Sequence, residues 1–165
     1  MAMQMQDLQA LYVHKLQDIY SAEQQALDLM EQSVGLAQTP ELRQGIRLHI
    51  DQTRQQIRRL DRIFGQLGEP PGGETCEGMS GLVQEAQKLM GQPASPEVLE
   101  AGMIACRQAV EHYEIAGYGT ARTYAELLGD QEAARLLDQT LEEEQATDEK
   151  LSQIARQVNV EAMDA

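Results

Sequence analysis

Six residues of this 165-residue chain stand where a helical bundle would place leucines: Glu23, His49, Glu111, Glu114, Glu144 and Asp148. Each interrupts an apolar stripe that recurs at threes and fours. Glu23 falls among Tyr12, Leu16, Ile19, Ala26 and Met30; His49, with Thr53, falls among Leu42, Ile46, Ile50, Ile57 and Leu60. Glu111 and Glu114 share a face with Met103, Ile104, Val110 and Tyr118, and Glu144 and Asp148 continue the heptad-like run of Leu137, Leu141, Leu151 and Ile154. A buried ionised carboxylate is strongly unfavourable unless it is paired or bound to metal. Five of them from three helices, facing one imidazole from a fourth, would repel one another, and a pair of divalent cations relieves that repulsion most directly. Oxygen-rich ligation with an imidazole suits iron or manganese, whereas structural zinc favours cysteine. The competing reading is a metal-free buried network in which Lys15, Arg107 or Arg122 neutralises the acids.

The elements that must position these residues follow from the same periodicity. Helices are expected over about 5–37, 39–67, 76–90, 96–128 and 131–158, in a single domain. Thr39-Pro40 and Ser95-Pro96 read as N-caps followed by proline at the first helical position. Gly68, Pro70, Pro71, Gly72 and Gly73 stop the second helix, and Gly129-Asp130 makes the last turn. The first and last joints between long helices are short, so each joins an antiparallel hairpin. The middle joint takes roughly 28 residues, enough to travel back along a bundle about 40 Å long. Two hairpins linked by one long crossover make a ferritin-like antiparallel four-helix bundle, all-α, with a short fifth helix in the crossover presenting Met79, Leu82, Val83, Ala86 and Leu89. Counted from the hairpin turns, Glu23 lies level with His49 and Thr53, and Glu111 and Glu114 lie level with Glu144 and Asp148.

Composition narrows the function classes. The chain carries a formal charge of −14, which disfavours nucleic acid and anionic lipid as partners. Arg54, Arg58, Arg59 and Arg62 follow one helix surface and read as a solvated face beside the many acids. Cys76 and Cys106 have neither zinc-type spacing nor the number for a disulfide framework. No basic region precedes an apolar run at the N-terminus and no stretch reaches transmembrane length, so a cytoplasmic protein that does not enter membranes is expected. His112 is rotated off the stripe and should face a neighbouring subunit or the crossover helix. Tyr20, Tyr113 and Tyr118 lie near the cluster level, as core rings or as donors to its carboxylates.

Four segments, DIYSAEQQAL (18–27), CEGMSGLVQEA (76–86), VEHYEIAGYGT (110–120) and TLEEEQATDEKL (140–151), resemble the YciF-like branch of ferritin-like proteins, associated with bacterial stress responses. The resemblance covers nearly the whole chain. It implies a rubrerythrin-like bundle, a homodimer, and a dinuclear iron or manganese site on Glu23, His49, Glu111, Glu114, Glu144 and Asp148; the chemistry expected of such a metal pair is peroxide or oxygen reduction, or oxidation of bound iron. A face with Tyr113, Gly117, Gly119 and Tyr124 is a candidate for the dimer contact. The sequence also departs from the resemblance. Gln52 stands where the family often has an acid, and neither the second nor the fourth long helix carries Glu-x-x-His. The alternative is therefore a non-catalytic, dimeric structural or partner-binding protein built around a metal-free polar core.

Overall fold

A computed structural model describes residues 5–165. Asp7 caps the first helix, α1 (Leu8–Ser33), by accepting from the Ala10 amide at 2.8 Å. That cap places the start of α1 after Met5, and a 3-10 turn over Val34–Leu36 closes it. α2 (Pro40–Leu67) ends where Gly68 turns into the left-handed region at φ 68°, a conformation that suits a residue without Cβ. α3 (Glu77–Met90) lies in the long connection, α4 spans Pro96–Leu127, and α5 spans Gln131–Met163. α5 continues beyond Val158, the last buried residue of its stripe, through exposed Val160 and Met163. Burial marks the end of a stripe, whereas good helix formers such as Glu161, Ala162 and Met163 extend the helix without it.

Thr39 sits at the N-cap position of α2, but its hydroxyl does not cap. It donates to Glu100 Oε2 at 2.7 Å, while Glu100 Oε1 accepts the Gln38 and Thr39 amides, each at 2.6 Å. A buried carboxylate from α4 thus satisfies the amides at the start of α2, where the helix dipole also favours negative charge.

Two apolar clusters define the topology. One gathers Tyr12, Leu16, Phe64, Tyr118, Ala125 and Leu137; the other gathers Met30, Leu42, Ile46, Met103, Leu151 and Val158. The start of α1 therefore meets the ends of α2 and α4 and the beginning of α5. The long helices run up, down, down, up, with α1 beside α2 and α4, and α5 beside α2 and α4. Because α2 ends at one cluster and α4 begins at the other, residues 68–95 travel the length of the bundle, with α3 lying on α1 and α4. Gln17 ties that connection down by donating to the carbonyls of Pro70 (2.9 Å) and Gly72 (3.1 Å). Gly78 lets α3 approach α4, since a Cβ there would meet the Tyr113 ring at 2.6 Å. Among the described residues, no helix is long and apolar enough to cross a membrane.

Candidate metal centre

Between the two apolar clusters lies a polar layer. Glu23 from α1, His49 from α2, Glu111 and Glu114 from α4 and Glu144 from α5 are all buried there. They form two triads, His49/Glu111/Glu144 and Glu23/Glu114/Glu144, and within each the ligand-type atoms lie within 4.8 Å of one another. Glu144 belongs to both. His49 Nδ1 is 3.2 Å from Glu111 Oε1, and His49 Nε2 is 3.5 Å from Glu144 Oε1.

Five of the six residues singled out by spacing converge in this layer; Asp148 does not. It lies on the seam between α4 and α5, half-buried, with Oδ2 3.2 Å from His112 Nε2 and Oδ1 accepting from Gln108 Nε2 at 3.2 Å. Those partners draw its short side chain toward the surface. The same contact turns His112 toward α5, not toward the crossover helix. Lys15 pairs with Asp18 and Arg122 with Asp138, so of the three proposed neutralising cations only Arg107 reaches the cluster. Arg54 and Arg62 pair with Glu31 and Glu132 on a solvated face, whereas Arg59 departs from that expectation and is largely buried, donating to Glu143 and Thr140. Tyr113 and Gly117 are used within the chain, Tyr113 beside Cys76 Sγ at 3.1 Å and Gly117 against Ile19.

Several supporting residues complete the layer. Tyr118 donates its hydroxyl to Glu23 Oε1 at 2.5 Å. Gln56, fully buried, donates to Glu144 Oε1 at 2.5 Å and to Glu143 Oε2 at 3.1 Å. Arg107 Nη2 sits 2.9 Å from His49 Nδ1 and 4.0 Å from Glu111 Oε1. Gln56 escaped the sequence reading although its signal was present: it lies three residues after Thr53, on the inward side of α2. Tyr20, in contrast, packs edge-on against Phe64 with ring centroids 5.9 Å apart and serves the core.

The electrostatics describe a site that holds protons when it holds no ion. Burial, reinforced by the charge of Glu144, pushes the carboxyls of Glu23 and Glu111 well above the ordinary range. Burial and the neighbouring Glu23 do the same to Glu114. Burial also opposes ionisation of Glu144, but hydrogen bonding from Glu111 and the adjacent His49 outweigh it and hold Glu144 at about 2. Burial and mutual repulsion thus favour the protonated forms of Glu23, Glu111 and Glu114 beside an ionised Glu144, the pattern expected when like charges share a dry site. Burial raises the Tyr118 phenol as well, with Glu23 adding to it.

Donor chemistry provides a fit test for a cation. Apart from the neighbouring carboxyls, nothing donates to the buried Glu23 Oε2, Glu111 Oε2, Glu114 Oε1 and Glu144 Oε2, and Thr53 Oγ1 and Gln56 Oε1 are buried without partners. An orphaned buried polar atom ordinarily costs about 1–3 kcal/mol. Such a concentration of oxygen acceptors fits hard or borderline divalent ions, and His49 adds the nitrogen that favours iron or manganese over calcium.

Residues 7–163 match the family described as a domain of unknown function, DUF892. The chain belongs to that family. It is 39% identical over 154 residues to Protein YciF of Escherichia coli, with 93% of each sequence covered. The crystal structure of the E. coli stress protein YciF superposes with a TM-score of 0.89 at 38% identity, covering 93% of this chain and 98% of that one. YcfI from Rhodopseudomonas palustris, for which a structural role has been suggested, superposes with a TM-score of 0.88 at 41% identity, covering 92% and 97%. A protein from Xanthomonas campestris shares the fold at 24% identity, with a TM-score of 0.79 and coverage of 96% and 97%.

Proposed function

We propose that this DUF892 protein is a stress-response protein whose bundle core takes up divalent iron or manganese at the two triads joined by Glu144. The observation that carries the reading is the set of four buried carboxyl oxygens, one from each of Glu23, Glu111, Glu114 and Glu144, to which no group other than a neighbouring carboxyl donates. A site meant only to hold the bundle together would be expected to satisfy them. The E. coli relative described as a stress protein supports the physiological setting.

Glu23, Glu114 and Glu144 would hold one ion, and His49, Glu111 and Glu144 would hold another. Bound iron or manganese supplies the redox capacity for reducing peroxide or dioxygen. The chain's own residues orient the ligands: the Tyr118 hydroxyl fixes Glu23, and the Gln56 amide fixes Glu144. The apolar clusters on either side keep bulk water away, which strengthens every charge interaction inside.

A second reading has its own observation. Arg107 and Gln56 already neutralise or hydrogen-bond part of the cluster, as a metal-free structural core would require. Elemental analysis separates the two. Protein purified without chelator or affinity-column nickel, then incubated anaerobically with ferrous or manganous ion, should retain stoichiometric metal after desalting, and Glu144→Ala should lose most of it. Less than about a tenth of an ion per wild-type chain would establish the structural core instead.

A further inference from the structure

The two triads are not equivalent, and Arg107 makes the difference. Its guanidinium is buried in the His49/Glu111/Glu144 lobe, with Nη2 2.9 Å from His49 Nδ1. A guanidinium has donors only. The contact therefore makes Nδ1 the acceptor and leaves the ring proton on Nε2, which faces Glu144 Oε1 at 3.5 Å. Both nitrogens of His49 are engaged, and a positive charge already stands beside Glu111. In the other lobe, no ion pair reaches Glu23 or Glu114 among the described residues.

Arg107 also has another place to go. It forms part of the wall of a groove of about 130 Å³ between α2 and α5, with Gln52, Glu143 and Thr147. Arg107 lines the inner cavity beside His49 and Glu111 as well, so its side chain separates that cavity from the groove. Its Nε is buried without a partner, so the inward seat does not satisfy it completely. At the groove Gln52 offers an amide oxygen and Glu143 a carboxylate that Arg59 already shares, with Lys150 also on the wall, so an outward-turned guanidinium exchanges a dry seat for a wetter one.

We propose that Arg107 is a built-in competitor for metal: its guanidinium occupies the His49/Glu111/Glu144 lobe, so the Glu23/Glu114/Glu144 lobe takes the first divalent ion and the second lobe fills only when Arg107 turns out into the α2–α5 groove. This rests on the metal-binding reading above. A fixed cation and a divalent ion sharing one dry lobe repel each other, whereas in the first lobe the charge of Arg107 acts only from farther off, on Glu144 and Glu114. The consequence is ordered, unequal loading.

The test is anaerobic titration of wild type, Arg107→Met and Arg107→Lys with manganous ion. Bound metal is counted per chain, and electron paramagnetic resonance reports whether two ions are magnetically coupled. Methionine keeps an unbranched stem for packing, lysine keeps the charge, and thermal unfolding verifies that each variant is folded. Wild type and Arg107→Lys should bind one ion tightly and a second about tenfold or more weakly. Arg107→Met should bind two with similar affinity and show the coupled spectrum. Two equivalent ions in wild type, unchanged in Arg107→Met, would overturn the competitor role and leave the metal site standing. One ion in a folded Arg107→Met, or none, would also overturn it. No binding by wild type or by any variant would remove the metal reading itself.

Discussion

Replacing Glu114 by glutamine should make the metal-free protein more stable while weakening its hold on metal. Glu114 is fully within the polar layer, and burial and Glu23 raise its carboxyl well above the ordinary value of 4.5. A raised carboxyl means that the folded chain binds this proton more tightly than the unfolded chain does. Below pH 4.5 both states are protonated and the residue is neutral to stability. As pH rises toward the folded-state value, the unfolded chain gains by ionising and the folded chain does not. The resulting loss of stability grows by about 1.4 kcal/mol per pH unit, to a ceiling of about 3 kcal/mol at pH 7. Glutamine preserves the volume and a donor for Glu144 but removes the ionisation. After chelation, Glu114→Gln should therefore gain about 1–3 kcal/mol at pH 7, which for a chain of this size is about 3–10 °C in Tm. The gain should shrink to within about 1 kcal/mol at pH 5. Thermal unfolding followed by circular dichroism at both pH values reads this directly. Manganous ion at 100 times its Kd should stabilise wild type by about 2.7 kcal/mol per site, and the variant by less. A variant that is less stable than wild type at pH 7 without metal would refute the reasoning, because Glu114 would then be a satisfied member of a supporting network.

Other residues should respond differently. Tyr118→Phe leaves Glu23 Oε1 without its donor; metal affinity measured by competition with a chelating dye should fall by about 10–100-fold, the usual effect of losing an outer hydrogen bond to a ligand. Glu100→Ala removes the acceptor for two amides and a hydroxyl at the start of α2, and should cost about 1–3 kcal/mol in urea unfolding without changing metal content. Gly78→Ala drives a methyl group into the Tyr113 ring and should cost about 1–3 kcal/mol, with a change in near-ultraviolet circular dichroism as the tyrosine moves.

Much of this protein was legible in its sequence because helix periodicity reports which side faces the core. Glu23, His49, Glu111, Glu114 and Glu144 could be placed on inward stripes, and all are buried together. Periodicity does not report how a side chain leaves its stripe. Asp148 lies on the inward arc of α5, yet His112 and Gln108 on the neighbouring helix draw it to the seam. Arg107 precedes Glu111 by one turn, and only the packed structure reveals that its long stem carries the charge inward to His49. The cap of α2 was hidden for a similar reason. Thr39-Pro40 has a cap's local sequence, but the acceptor that satisfies the amides is Glu100, which lies far along the chain. Interactions set by neighbouring residues are encoded locally; those supplied across the bundle depend on the register between helices.

The central claim is that the buried acids form a cation site, and anomalous diffraction from crystals soaked in manganous ion tests it most directly. The account predicts an anomalous peak at the manganese edge within bonding distance of Glu23, Glu114 and Glu144. A well-ordered polar layer with no peak there at saturating manganese would contradict it.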